Sequence, residues 1–160
     1  MIEIRNIHGS VIYTEKDAKT VRTAVIKAVK ARASLSCANL SRADLSGANL
    51  SFVDLSGANL YCAKVKGAVI NGRLIENLHV ISYSSYPYQI QAILFQDGSR
   101  WVRMGCLFKS LEDWEKIGIR KSNIGSYPDD GSERSEERAA AFEFAKAAAM
   151  RMKFPESEKQ

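Results

Sequence analysis

The 160-residue chain is poor in the side chains on which most enzymes and metal sites depend. It has two histidines and three cysteines, and Cys37, Cys62 and Cys106 show neither CxxC nor metal-ligand spacing. His8 falls in a predicted turn and His79 in a predicted connector, outside any recognisable motif. We therefore expect no catalytic residues, no metal site and no cofactor, and we expect that the protein is not an enzyme.

The sequence also lacks an apolar run of about 18 residues and a signal-peptide pattern. An odd number of cysteines argues against a disulfide framework and favours reduced thiols. These absences predict a cytoplasmic protein that is neither exported nor bound to a membrane.

A period of five residues dominates the chain from Ala33 to Gly72. This stretch reads ASLSC ANLSR ADLSG ANLSF VDLSG ANLYC AKVKG AVING, eight units in one frame. The third positions form the predicted core: Leu35, Leu40, Leu45, Leu50, Leu55, Leu60, Val65 and Ile70. A period of five fits neither a helix, at about 3.6, nor a strand, at about 2, so the chain must turn a corner once per unit.

The pattern resembles A(D/N)Lxx, the signature of the pentapeptide-repeat family. The resemblance implies a short right-handed quadrilateral β-helix of about two coils, four units to a coil, stacked at about 4.7–4.9 Å. The match degrades at its end, where Lys64 and Val69 replace Asn or Asp. An Ala/Leu-rich helix is a poor alternative, because the four glycines of the stretch would each cost it about 1 kcal/mol.

Residues 1–32 are predicted to cap the first coil with a hairpin and a helix. Residues 2–14 have hairpin alternation, and Thr14 is expected to cap a helix over residues 15–32, with Asp17 completing a capping box. The apolar stripe of that helix is Val21, Ala24, Val25, Ala28 and Val29. Because a solenoid exposes leucines and unpaired backbone at its ends, we interpret the segment as a cap.

The chain carries a net charge of +5, and its cations concentrate in residues 15–32. Five of them fall on the side of the predicted helix away from the apolar stripe: Lys16, Lys19, Arg22, Lys27 and Lys30. They form either a contact surface for phosphates or acidic protein, or a solvated helix face, which is the commoner situation.

The remaining boundaries divide the chain into a repeat domain, 33–75, and an α+β appendage, 76–160. The predicted segments of the second half are a connector 73–87 with a break at 83–87, a hairpin 88–108 that turns at Asp97-Gly98, a helix 110–117, a turn-rich stretch 118–131, a helix 132–153 and a frayed tail 154–160. The whole is expected to be mainly β with helices.

The last helix is apolar on two sides. Phe142, Ala145, Ala149 and Met152 form one stripe, and Ala140, Phe144, Ala147 and Ala148 lie opposite. Because a slim β-helix offers little core to sandwich such a helix, the pattern predicts a homodimer through residues 132–153.

Two possible chemical groups carry weak signals. Cys106 follows Gly105 on a predicted strand, and it is either a thiol nucleophile or, as we expect, a small buried apolar residue. Asp44 and Asp54 lie two units apart, so they should point to opposite sides of the coil and cannot share a substrate.

Large residues at outward positions of the repeat are candidate contacts for a partner. Phe52 and Arg42 occupy fifth positions, at corners, and Tyr61 occupies a fourth position that is otherwise mostly serine. Aromatic anchors dominate protein interfaces, so the predicted hot spot consists of Phe52 and Tyr61, with Arg42 nearby. Coverage of these side chains by the appendages is the alternative.

Residues 100–114, a strand ending in VRMGC followed by SLEDW, resemble an appendage of pentapeptide-repeat proteins from phages and prophages. The resemblance implies an origin in a mobile element of a bacterial host. From that origin and the small size of the chain, we expect a non-enzymatic accessory protein that binds and inhibits a host protein or nucleoprotein complex, such as a CRISPR effector. One alternative is a DNA mimic that modulates the type II topoisomerase gyrase, although only Asp44 and Asp54 are acidic in the repeat. A structural or oligomerisation scaffold is another, and direct binding of nucleic acid also stays open.

Overall fold

The protein is a mixed β structure with three helices. The computed structural model describes residues 1–83, 86, 89–122 and 128–154. In chain order its elements are β1 (Ile2–Arg5), β2 (Val11–Glu15), α1 (Val21–Lys30), β3 (Val69–Ile70), β4 (Arg73–Ile81), β5 (Ile90–Phe95), β6 (Arg100–Met104), β7 (Leu107–Ser110), α2 (Leu111–Ile117), a 3₁₀ turn (Ile119–Lys121) and α3 (Glu133–Arg151).

The repeat folds into two stacked levels whose backbones pair at an offset of twenty residues. Parallel bridges join Asn39 to Asn59, Asp44 to Lys64 and Asn49 to Val69, so four units make one level. The third-position side chains are all buried, with at most 5% of their surface exposed. Backbone hydrogen bonds join the two levels on all four sides, for example from the Leu35 N–H to the Asp54 carbonyl at 3.0 Å and from the Leu50 N–H to the Val69 carbonyl at 2.8 Å. The longer strands outside the repeat pair antiparallel in two sheets, so the molecule as a whole is not one extended β-helix.

Five of the eight units, those with Asn or Asp at the second position, turn the corner with the help of two positions. The second-position Asn or Asp accepts a hydrogen bond from the backbone N–H of the fourth position, as in Asp44 to Ser46 at 3.0 Å and Asp54 to Ser56 at 2.8 Å. The fifth position has a left-handed backbone in every unit, with φ between +56° and +78°. Glycine enters this region without penalty, which explains why it holds half of the fifth positions.

The N-terminal hairpin and α1 cover the first level. The Ile7 N–H donates to the Cys37 carbonyl at 2.8 Å, and the Asn39 N–H donates to the Arg5 carbonyl at 2.8 Å. Three α1 side chains, Ala24, Val25 and Ala28, are buried in the same cluster as the leucine ladder. The open end of the coil is therefore closed by backbone pairing and by apolar packing.

The helix begins later than the sequence pattern predicts, so the expected span 15–32 with a Thr14 cap is wrong. Thr14 and Glu15 belong to β2, where they pair with Glu3 and Ile2. The cap is Thr20, whose side chain accepts the Thr23 N–H at 3.1 Å. Strand pairing satisfies the backbone of residues 14 and 15, and it outweighs the capping box that their side chains suggested.

The second level is closed by a sheet in the order β3-β4-β5-β6-β7, which is antiparallel throughout. Two predictions fail here. Residues 73–81 of the predicted connector form β4, and the segment 100–108 is interrupted by a turn at Gly105 and Cys106, so that Leu107–Ser110 returns as β7. The polar residues of β4 had hidden its strand character.

Strand β5 is buried on both faces. Ile93 and Phe95 pack against the coil, while Ile90, Ala92 and Leu94 join a second cluster with the helices. Gln91, also on the coil side, donates from Nε2 to the Ala58 carbonyl at 3.1 Å and so satisfies an acceptor at the open end of the second level.

The far face of this sheet receives α2 and α3. Trp114 of α2 is fully buried, donates from Nε1 to the Val102 carbonyl at 2.9 Å, and contacts the ring of Phe142 at a centroid distance of 5.4 Å. Phe142, Ala145 and Ala149 of α3 are buried in the same cluster. The premise that α3 lacks a core within the chain is therefore wrong, because the sheet supplies one.

Some predicted features lie outside the described residues. They are most of the break at 83–87, the first residue of the predicted hairpin, the middle of the stretch 118–131 and the tail beyond residue 154. Among the described helices, none is long and apolar enough to cross a membrane.

Candidate interaction surfaces

Phe52 is the most exposed large apolar side chain of the described residues, with 98% of its surface open to solvent. Its backbone has φ +62°, in the left-handed region that costs a residue with a Cβ about 1–2 kcal/mol. Neither burial nor backbone preference accounts for a phenylalanine here, and no described part of the appendages covers it. A side chain that is both exposed and strained is a candidate for contact with another molecule.

Arg42 and Tyr61 form a separate surface from Phe52. The Arg42 N–H donates to the Tyr61 carbonyl at 2.9 Å, so these two residues lie on neighbouring levels at one corner. Because four units make one level, Phe52, two units after Arg42, lies at the opposite corner. The predicted hot spot of Phe52 with Tyr61 is therefore not one contiguous patch.

Tyr61 instead meets α3. A groove of about 400 Å³ is lined by Tyr61 and Cys62 of the coil, Leu78 and Val80 of β4, and Phe144 of α3, among others. Tyr61 and Phe144 are 56% and 54% exposed, and the Phe144 ring lies 5.8 Å from that of Tyr83. Two candidate residues predicted for different purposes thus line one apolar groove.

The other residues proposed for a dimer lie on the outward side of α3. Ala140 and Ala147 are exposed and Ala148 is half-buried beside the second cluster. Met150 is 60% exposed on the same helix. The outward side of α3 is therefore mixed, with charged residues such as Glu143 between the apolar ones.

The five cations predicted to share one helix face do not do so. Lys16 and Lys19 precede α1, whereas Arg22, Lys27 and Lys30 lie on it. All five are exposed, and Lys27 lies 3.7 Å from the Glu15 carboxylate. The late start of the helix divides the predicted basic face into a loop and a shorter helical part.

The thiols do not adopt the positions that the sequence suggested. Cys106 is exposed in the turn between β6 and β7, so the expectation of a small buried residue on a strand is wrong. Cys62 is exposed and Cys37 half-buried, and all three are free. The Gly105-Cys106 pair reads as part of a strand from sequence because apolar residues flank it on both sides.

The carboxylates of the repeat have local partners. Hydrogen bonds from Ser46 hold the pKa of Asp44 below its usual range, with smaller contributions from Lys64 and Arg22. Hydrogen bonds from Ser56 lower the pKa of Asp54. Asp44 and Asp54 project from units two apart, on opposite sides of a level. Within the part of the chain that the structure describes, no group of His, Cys, Asp and Glu side chains could hold a metal ion.

Arg103 was missed by sequence reasoning. It lies on the coil-facing side of β6 with only 7% of its surface exposed, and its guanidinium carbon is 4.5 Å from the centre of the Phe108 ring. Burial lowers its pKa, and Asp54 of the coil opposes that shift. Its position two residues after Trp101 on the same strand is the only sequence signal for an inward side chain.

Comparison with known proteins identifies the central segment and nothing beyond it. No curated protein and no solved structure matches the chain significantly. The family described as pentapeptide repeats matches residues 33–72 in eight copies. This is the stretch whose levels, corners and buried ladder are described above. Residues 33–72 are therefore a run of eight pentapeptide repeats, enclosed by the hairpin, sheet and helices of the rest of the chain.

Proposed function

We propose that this protein is a non-enzymatic interaction protein and that Phe52 is its anchor on a partner protein. The repeat serves as the rigid platform, and we infer for it two coils of a right-handed quadrilateral β-helix. The twenty-residue offset of its bridges and its buried leucine ladder support that inference.

The observation that carries the proposal is the state of Phe52. A phenylalanine that is 98% exposed gives up the roughly 1.5–3 kcal/mol that burial would supply, and its left-handed backbone adds a further cost. Insertion of the ring into a pocket of a partner would recover the burial energy. Aromatic residues are the commonest anchors of this kind.

The partner that we propose is a host protein complex that a phage or prophage accessory protein inhibits, such as a CRISPR effector. Support for this target comes from the resemblance of residues 100–114 to phage-associated appendages, and the geometry adds the exposed anchor. The proposed site of action is a cytoplasmic complex, protein or nucleoprotein.

The test uses Phe52→Gly as bait in a pull-down from bacterial lysate. Glycine suits the left-handed backbone, so this variant should be at least as stable as the original chain, and loss of captured partner cannot be attributed to misfolding. Cys62→Gly is the matched control, because Cys62 is also an exposed fifth position with φ +56°. Equal capture by the original chain and the Phe52→Gly variant would refute Phe52 as the anchor.

The alternative of a DNA mimic that binds gyrase has less support from the charges. Asp44 and Asp54 are the acidic residues of the repeat, and Lys64 and Arg22 contribute electrostatically at Asp44. A mimic of duplex DNA needs about one negative charge per 1.7 Å. Recovery of gyrase in the same pull-down would nevertheless favour it.

A homodimer or scaffold is a second candidate, now through the groove that Tyr61 and Phe144 share. Both rings are more than half exposed, although α3 already packs on the sheet. Light scattering at micromolar concentration measures the oligomeric state directly. A monomer would refute this candidate, and Phe144→Glu should dissociate a dimer if it exists.

A further inference from the structure

Four cations from three distant parts of the chain meet along one side of the coil. Arg22 extends from the first turn of α1 over the corner at Gly47, where a Cβ would lie 3.7 Å from its Nη2. Lys64 and Lys66 belong to the second level, and the backbone of Lys64 forms a parallel bridge with that of Asp44 on the first level. Lys153 reaches the same side from beyond α3. We call these four residues the cationic stripe.

The stripe borders an open groove of about 500 Å³. Lys64, Lys66 and Lys153 line it, and Ser46 and Asn77 supply uncharged polar groups. Of the four cations, Lys66 makes an ion pair, at 2.9 Å from the nearly buried Glu76. Among the residues that the structure describes, Arg22, Lys64 and Lys153 form no ion pair.

The charges of the stripe are only partly compensated. Two carboxylates lie within it, Asp44 and Glu76, so two positive charges remain. The first turn of α1 contains no acidic residue, and the helix N-terminus therefore adds its own positive potential beside Arg22. An anionic ligand would meet this surplus along the full height of the coil, from α1 to β4.

We propose that the cationic stripe binds the phosphodiester backbone of duplex nucleic acid without reading its sequence. Cations at successive levels suit phosphates that follow one another along a strand. None of the described residues that line the groove is aromatic, so they offer no stacking platform for the bases of a single strand.

An acidic protein segment is a poorer occupant of the same surface. Protein partners are anchored by buried aromatic or large apolar residues. Phe52 lies at another corner of the coil, and Tyr61 and Phe144 line a different groove. Phe154 follows Lys153 and is 48% exposed, but it is not among the described residues that line the groove of the stripe. The stripe provides charge and hydrogen-bond donors without such an anchor.

The experiment measures anisotropy of a labelled DNA duplex, and of the RNA duplex of the same sequence, over a range of salt concentrations. We expect the logarithm of the association constant to fall with the logarithm of salt with a slope of about −3 to −4, since each neutralised phosphate contributes about −0.9. In the triple variant Arg22→Gln, Lys64→Gln, Lys153→Gln the slope should weaken by about 3 and the affinity by more than about tenfold. Lys66 is left intact because its loss would leave Glu76 without its cation.

The matched control removes three exposed lysines outside the stripe, as Lys16→Gln, Lys30→Gln, Lys121→Gln. It should bind nearly as well as the original chain, and an equal loss would overturn the proposal in favour of net charge alone. Single strands that bind as tightly as duplexes, or Lys64-dependent binding of polyglutamate with no binding of either duplex, would also overturn it. Binding of the DNA duplex, of the RNA duplex or of both supports the proposal and shows which nucleic acid supplies the phosphodiester backbone. Phe52→Gly should leave duplex binding unchanged, so this test and that of the proposed function fail independently.

Discussion

At the scale of the residue, the fifth position of each repeat unit decides how the chain turns. Its left-handed backbone accepts glycine freely, yet cysteine, arginine and phenylalanine occupy it as well. In five units the second position contributes the other half of the corner, because its Oδ1 accepts the backbone N–H of the fourth position, and this explains the preference for Asn or Asp there. Any residue other than glycine at a corner is therefore disfavoured by the left-handed backbone, and a large side chain there calls for a functional explanation.

Two glycines at such corners differ in what surrounds them, and their alanine variants should differ in stability. A Cβ on Gly57 would lie 3.1 Å from the Cys37 Sγ, whereas one on Gly72 would meet nothing within 4 Å. Both variants incur the left-handed cost of about 1–2 kcal/mol. Gly57→Ala should lower the free energy of unfolding, measured in urea, by about 0.5–1.5 kcal/mol more than Gly72→Ala does, because the Cys37 side chain must leave its rotamer.

The Cys37→Ala background provides the control for this comparison. Removing the Sγ should bring the cost of Gly57→Ala down to that of Gly72→Ala. Equal costs in the original chain would show that the corner thiol yields without strain.

At the scale of the element, α1 illustrates how pairing overrides a local signal. Thr14 and Thr20 both precede helical sequence, but Thr14 is held in β2 by its pairing with Glu3. Thr20, with φ −136° and ψ 155°, accepts the Thr23 N–H and begins the helix. The start of the helix fixes Arg22 in the first turn, beside the corner at Gly47, and leaves Lys16 and Lys19 in the preceding loop.

Replacing the cap should therefore matter at Thr20 and not at Thr14. Thr20→Ala is expected to lower the free energy of unfolding by about 0.5–2 kcal/mol, because an N–H in the first turn of α1 loses its acceptor. Thr14→Ala, at an exposed strand position, should change it by less than about 0.5 kcal/mol. Urea titration followed by circular dichroism measures the free energy of unfolding of both variants. A larger loss in Thr14→Ala than in Thr20→Ala would show that Thr14 is the cap.

At the scale of the whole molecule, the coil and the helices are joined through one sheet. β5 packs the leucine ladder on one face and α3 on the other, so the two apolar clusters share a strand. The coil is thereby covered at both ends, by the N-terminal segment and by the sheet, and its sides alone remain as surface. The exposed anchor Phe52 and the cationic stripe both lie on those sides.

Acid should destabilise the folded chain through its hydrogen-bonded carboxyls. Five of them have a pKa below the usual value, each mainly through a hydrogen bond: Asp44, Asp54, Asp97, Asp130 and Glu136. A lowered folded pKa contributes stability that is present above the unfolded value of about 4 and is lost as the pH falls through the folded pKa. The free energy of unfolding should therefore be constant near neutral pH and decrease below about pH 4.

The variants Asp44→Asn and Asp54→Asn separate this effect from general acid denaturation. Asparagine already makes the same turn at Asn39, Asn49 and Asn59, so both variants should fold. Their stability should fall less steeply with acid in urea titrations at several pH values. If these variants lose stability at low pH as steeply as the original chain, groups other than Asp44 and Asp54 cause the loss.

The sequence by itself determined the repeat and its buried ladder, because a strict period leaves one set of side chains that can face inward. It also placed the starts of α2 and α3, because the predicted helices 110–117 and 132–153 begin at the residues that cap them, Ser110 and Ser132. It did not reveal β4, the turn at Cys106, or the sheet face that buries α3, because these depend on pairing between segments far apart in the chain. Nor could it show that Phe52 and Tyr61 lie on different surfaces or that Arg22, Lys64 and Lys153 lie on one. Both follow from the twenty-residue offset of the levels and from where α1 and α3 pack, which only the tertiary structure decides.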